Sequence, residues 1–165
     1  VLQKASTRAE VTVSFSIPTL DRAAWRLTEP GTAPPQQRLR ALEKLVTSGI
    51  DAGVSIAPVL PGISDRPSQL DAVVRAAREA GATHLWTGML HLGPGIREHF
   101  MESLARNWPE LVPRYERMYA RDYVSRRESR GLETLVDALE ARYGVADRRE
   151  RPLIPPPAAR QLVLV

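Results

Sequence analysis

The chain has 165 residues, 43% of them hydrophobic and 25% charged, with a net charge of +4 and an isoelectric point near 9.9. That length and balance suit one globular domain with a sizeable core, and no apolar run reaches the ~20 residues that a membrane span needs. Cysteine is absent, which excludes disulfides, thiolate catalysis and cysteine-held metals within this chain.

The chain opens on Val1, and residues 1–9 read as the end of a helix and a turn. No charged-then-apolar leader is visible, so a cytoplasmic location is the expectation. Residues 11–17 alternate apolar and hydroxyl side chains, the period of a strand, and Pro18 ends the run. A short helix is predicted over 21–28, broken by Pro30-Gly31. Pro34 and Pro35 sit where a helix start tolerates proline. Leu39, Leu42, Leu45 and Val46 line one face of the helix that follows, and Gly49 caps it.

The second strand is predicted over 52–57, stopped by Pro58. Pro67 opens a helix whose Leu70, Val73, Val74 and Ala77 match the i, i+3, i+4, i+7 spacing, with Gly81 as its cap. The third strand is predicted over 84–92. Further helices are marked by Ile96, Phe100 and Leu104, by Leu111, Tyr115 and Met118, and by Leu132, Leu135, Val136 and Leu139, the last ending at Gly144. The order β-α-β-α-β followed by helices predicts an α/β fold with three parallel strands and crossover helices. Pro155-Pro156-Pro157 points to an extended or disordered tail.

The positive charge invites a nucleic-acid reading. Between Arg114 and Arg151, however, the basic residues are interleaved with Glu116, Asp122, Glu128, Glu133, Asp137 and Glu140. Mixed signs at helical spacing describe a solvated helix face, the stronger reading. His84, His91 and His99 have no usual metal-ligand spacing and read as loop or structural histidines. Trp25, Trp86 and Trp108 read as packing anchors.

The strands carry the chemical clue. A central parallel strand is usually apolar on both faces. Here Val11, Val13, Phe15 and Ile17 form one face of the first strand, and Thr12, Ser14 and Ser16 the other. In the second strand Val54 and Ile56 oppose Gly53, Ser55 and Ala57. The small, hydroxylated faces either line a ligand-facing barrel interior or face solvent on a half-covered sheet. In α/β folds ligands bind at the carboxyl ends of parallel strands, and Ser16, Ala57-Pro58 and His91-Leu92 sit at those ends.

Taken in order, Ser16-Ile17-Pro18-Thr19-Leu20-Asp21, Glu29-Pro30-Gly31-Thr32, Arg38-Leu39, Ala57-Pro58-Val59-Leu60-Pro61-Gly62-Ile63-Ser64-Asp65, Leu90-His91-Leu92 and Gly95-Ile96-Arg97-Glu98-His99-Phe100 resemble a known pattern. It is that of radical S-adenosylmethionine (SAM) proteins of the spore-photoproduct-lyase or DNA-repair-photolyase type. No single piece is specific; order and spacing together carry the likeness, which runs to about Gly144. The resemblance implies a partial (β/α)6 barrel in which a three-cysteine motif holds a 4Fe–4S cluster. That cluster cleaves SAM to methionine and a 5′-deoxyadenosyl radical.

By resemblance this chain supplies the fourth to sixth strands as an incomplete (β/α) barrel over 1–95, a helical extension over 96–144 and a Pro-rich tail over 145–165. No catalytic residue and no metal ligand is carried over. Ser16 matches a polar contact to the ribose or methionyl part of SAM, Arg38 an arginine aimed at the SAM carboxylate, Ala57 a wall beside the adenine and Leu92 the adenine edge. For Glu29, orienting Arg38 is one reading and a surface charge the stronger. The duller counterparts are an exposed helix arginine at 38, a local backbone hydrogen bond at Ser16, a packing role at Ala57 and a surface charge at Glu29. The resemblance also implies that the chain is inactive alone, since the cluster cysteines are missing. Its expected partner is a chain carrying the N-terminal half-barrel; nucleic acid is a further candidate and a membrane is not. The other readings are a non-enzymatic remnant, a subunit completing another chain's barrel, or an independent small α/β binding domain.

Overall fold

The computed structural model describes residues 1–148, so the triple proline and the rest of the expected tail lie outside the described residues. After a short helix α1 (Leu2–Ser6), strand β1 (Thr12–Ser16) leads to α2 (Arg22–Thr28) and α3 (Pro35–Thr47). Strand β2 (Asp51–Val59), α4 (Pro67–Glu79) and β3 (His84–Met89) follow. The chain continues through α5 (Ile96–Asn107), a 3-10 turn (Pro109–Leu111), α6 (Val112–Met118) and α7 (Arg126–Tyr143) to β4 (Ala146–Asp147).

The local signals have physical causes. Asp21 caps α2, its carboxylate accepting from the amides of Ala23 and Ala24. Pro35 and Pro67 occupy first-turn positions where no N–H is needed. Ser125 and Glu128 form a reciprocal capping box at the start of α7. Gly144 ends α7 in the left-handed region at φ 64°, where a side chain would be strained.

All four strands are parallel and stand in the order β1-β2-β3-β4. Right-handed crossovers between strands added successively on one side keep every covering helix on the same face. The core records this: Leu39 and Leu42 of α3, Leu70, Val73, Val74 and Ala77 of α4, and Leu132, Val136 and Leu139 of α7 join Ala52, Val54, Ile56 and Leu85 in one cluster. Each fully buried leucine there contributes about 1.5–3 kcal/mol relative to exposure. The opposite face is largely bare: Ser14 and Ser16 are exposed, and Trp86 is 39% exposed. A second, smaller cluster of Leu60, Ile63, Leu90, Leu92, Leu104, Tyr115 and Tyr119 lies beyond the carboxyl ends of β2 and β3 and fixes the loops there.

The expected α/β class with parallel strands and crossover helices is present. Among the described residues the sheet is open, with β1 and β4 as its edges. Four expectations need correction. The described residues form four strands, not three: β4 pairs with β3 through His84↔Ala146 and Leu85↔Asp147, so residues 146–147 of the expected tail join the sheet. β2 does not stop at Pro58 but runs to Val59, with a register irregularity between Ile56 and Val59 and a cis Ala57–Pro58 bond; at such an irregularity a residue without an N–H is tolerated. β3 ends at Met89, not 92, because the chain turns away and the Leu92 amide donates to the Asp122 carbonyl at 2.8 Å. The boundary at 95/96 does not separate a barrel piece from a helical extension, since α7 packs on the sheet beside α4 as its third covering helix. Among the described residues no helix is long and apolar enough to cross a membrane.

Candidate functional site

The register of the sheet builds the bare face row by row. Ser14 lies opposite Gly53, and Ser16 opposite Ser55, which in turn lies opposite Trp86. Alternation then places Ala57 and Gly88 on the same face, one step nearer the carboxyl ends. The Ser16 hydroxyl donates to the Ala57 carbonyl at 2.6 Å. Ser16 and Ala57 are therefore neighbours on one uncovered face, and neither is buried under the helices.

Arg38, in the first turns of α3, reaches back to the same corner. Its Nη1 donates to the Ser16 carbonyl at 2.6 Å and to Glu29 at 3.2 Å. Nη2 donates to the Thr32 hydroxyl at 2.6 Å, and Nε to the Ala33 carbonyl at 2.8 Å. The Arg38 and Glu29 side chains are only 11% and 19% exposed, so this is a nearly buried, charge-assisted latch between α3, the 29–33 loop and the end of β1. A guanidinium has five N–H donors, and this network leaves a single Nη2 N–H free. Glu29 pairs with Arg38 instead of standing as the surface charge favoured for it. The bidentate fork implied for Arg38 is already spent on the protein.

Leu92 does not join the group. It is fully buried in the second cluster, so its side chain does not reach the bare face. Sequence reasoning singled out neither Thr32 as an Arg38 partner nor the pose of Trp86, whose indole lies so close over Gly88 that an added methyl there would sit 2.9 Å from the ring. A glycine two residues beyond a tryptophan on one strand face was the available signal.

The histidines do not converge. His84 is buried, with Nδ1 3.1 Å from the Thr83 hydroxyl; His91 stacks on Tyr123 with ring centroids 4.2 Å apart; His99 is exposed on α5. Asp137, Glu140 and Asp147 bring carboxylate oxygens within 4.8 Å of one another, but Glu140 and Asp147 already have interaction partners. Tyr115 and Tyr119 stack in the second cluster. Burial, with smaller repulsion from Tyr119 and Asp65 for Tyr115 and from Glu128 for Tyr119, pushes both phenols well above their usual range. They stay neutral hydroxyls and offer no phenolate for acid–base work.

The chain is 36% identical over 154 residues to uncharacterized proteins of Mycobacterium tuberculosis and Mycobacterium bovis, a match spanning 92% of this chain and 45% of each of theirs. It is 30% identical over 98 residues to an uncharacterized protein of Acidianus two-tailed virus, covering 58% of this chain and 32% of the viral one. No family model and no solved structure matches. The chain thus spans somewhat less than half the length of the mycobacterial relatives.

Proposed function

We propose that this chain is the C-terminal part of a radical SAM enzyme of the spore-photoproduct-lyase-like type, its bare sheet face forming part of a nucleoside-cofactor pocket. The observation that carries the reading is the pairing of Ser16 and Ala57 on an uncovered, small-residue face at the carboxyl ends of two neighbouring parallel strands. Two further facts support it. Sequential strand order with all covering helices on one side is the winding of a (β/α) barrel, and more than half of each mycobacterial relative lies outside the match, room for the strands that would close it.

In this reading the small side chains of Ser16, Ser55 and Ala57 leave room for a nucleoside beside the Trp86 indole, which covers Gly88. The Arg38–Glu29 latch holds the Ser16 backbone in place, a positioning role. The chain does not fit the cluster, because it contains no cysteine and such clusters are held by thiolates. In this reading the cluster ligands lie in the portion of the longer protein outside this chain, and no step of the chemistry is assigned to residues here. SAM, when bound, would supply the carbon radical.

Saturation-transfer NMR with S-adenosylhomocysteine tests the reading. The chain is expected to give transfer to the adenine protons at millimolar ligand, abolished by Ser16→Leu and by Ala57→Leu, which fill the face. Absence of transfer, or transfer untouched by both substitutions, overturns it.

The second reading, a subunit completing a partner's barrel, is favoured by β1. Among the described residues it pairs with β2 alone, and its other edge is a row of backbone groups open to a further strand.

A further inference from the structure

We propose that the cavity between α2 and α5 binds an amphipathic organic anion: a molecule with an apolar body and one carboxylate, sulfonate or phosphate end. The cavity has a volume of about 900 Å³, within the ~300–1,000 Å³ of small-molecule sites. It lies beyond the carboxyl ends of the strands, with Pro18, Pro58 and Leu90 at its floor. Neither Ser16 nor Ala57 lines it, so the inference stands independently of the cofactor reading.

Its walls are apolar. Ile96, Phe100 and Leu104 recur at four-residue spacing on α5 and so share one helix face, with Trp108 following at the end of the helix. Leu104 is rooted in the second cluster, whereas Ile96 is 55% exposed. Across the cavity Leu27 of α2 is 43% exposed. Large apolar side chains left open to water on both walls of one concave site are the surface that an apolar ligand would cover.

The charges select the other end of the ligand. Arg26 and Arg106 line the cavity from opposite helices, both exposed, and neither forms an ion pair among the described residues. Of the acidic lining groups, Glu29 is neutralised by Arg38, leaving Glu102 against the two arginines. The excess is positive, and a guanidinium is the donor best matched to a carboxylate or other oxyanion.

Fluorescence titration of the full chain with 1-anilinonaphthalene-8-sulfonate, which joins an apolar body to an anion, tests this against the uncharged N-phenyl-1-naphthylamine. Saturable binding of one equivalent is expected. The double variant Arg26→Gln/Arg106→Gln should weaken the sulfonate probe about tenfold, the loss of roughly one charge-assisted hydrogen bond, and leave the neutral probe unchanged. Leu27→Trp, which fills the cavity from an exposed position, should abolish both, with an unchanged unfolding midpoint showing that the fold is intact. Trp86→Ser and Ser16→Leu, on the bare sheet face, should alter neither. Equal weakening of both probes in the arginine variant would mean an apolar groove without anion selectivity. Loss of binding on Trp86→Ser would place the probe on the sheet. Either result overturns the proposal.

Discussion

The two faces of the sheet use the same strands to opposite ends. On one, Val54, Ile56 and Leu85 are sealed under three helices with no exposure at all. On the other stand serines, glycines, an alanine and a half-exposed tryptophan, with His84 buried over Gly53 at the end away from the site. A parallel sheet is normally covered on both sides. The sealed face holds the molecule together, and the bare face is where stability has been left unclaimed, as a ligand or a further part of the protein would require.

The largest effect should separate the faces directly. Leu70→Ala, at a fully buried position of the sealed face, is expected to cost about 3 kcal/mol through lost transfer energy and a residual cavity. Ser55→Ala on the bare face should stay within about 0.5 kcal/mol. Urea unfolding measures both, and comparable losses would erase the distinction.

A smaller effect sharpens it within the bare face. A methyl at Gly53 would run into the His84 carbonyl and imidazole, whereas at Gly88 it would meet only the outer edge of the Trp86 ring. Backbone cannot yield, but a 39% exposed indole can swing away. Gly53→Ala is expected to cost about 2–3 kcal/mol by overpacking and Gly88→Ala less than about 1 kcal/mol, read from thermal unfolding. If Gly88→Ala is the worse of the two, the indole is fixed in place and the face is less open than described.

The smallest of the three concerns the seam where the faces meet. Arg38→Ala removes four hydrogen bonds and leaves Glu29 nearly buried without its cation, an expected loss of about 2 kcal/mol. Arg38→Lys should recover only part of it, because one ammonium cannot serve Ala33, Ser16 and Thr32 in a planar fork. Full recovery in chemical denaturation would reduce the latch to a simple ion pair.

Much of this architecture was legible in the residues. Period-two alternation in 11–17 divided β1 into an apolar and a hydroxyl face. Asp21, Pro35, Pro67 and Gly144 marked helix ends because caps and prolines act within a turn of where they stand. The candidate site was legible in part: Ser16 and Ala57 meet through strand register and Arg38 reaches them from the first turns of α3, whereas Glu29, favoured as a surface charge, is drawn in from the end of α2. Leu92 was not, because whether a loop leucine faces a ligand or a core depends on where Tyr115, Tyr119 and Leu104 come to rest.

The sequence by itself determined the elements, their α/β order and the two-sidedness of the strands, all set by interactions within a few residues. Only the tertiary structure decided that α7 belongs to the sheet, that two residues after Gly144 form a fourth strand, and that Arg38 spends its donors on the protein. Those outcomes hang on contacts between residues far apart in the chain, and a two-residue strand or a single guanidinium has no period to read.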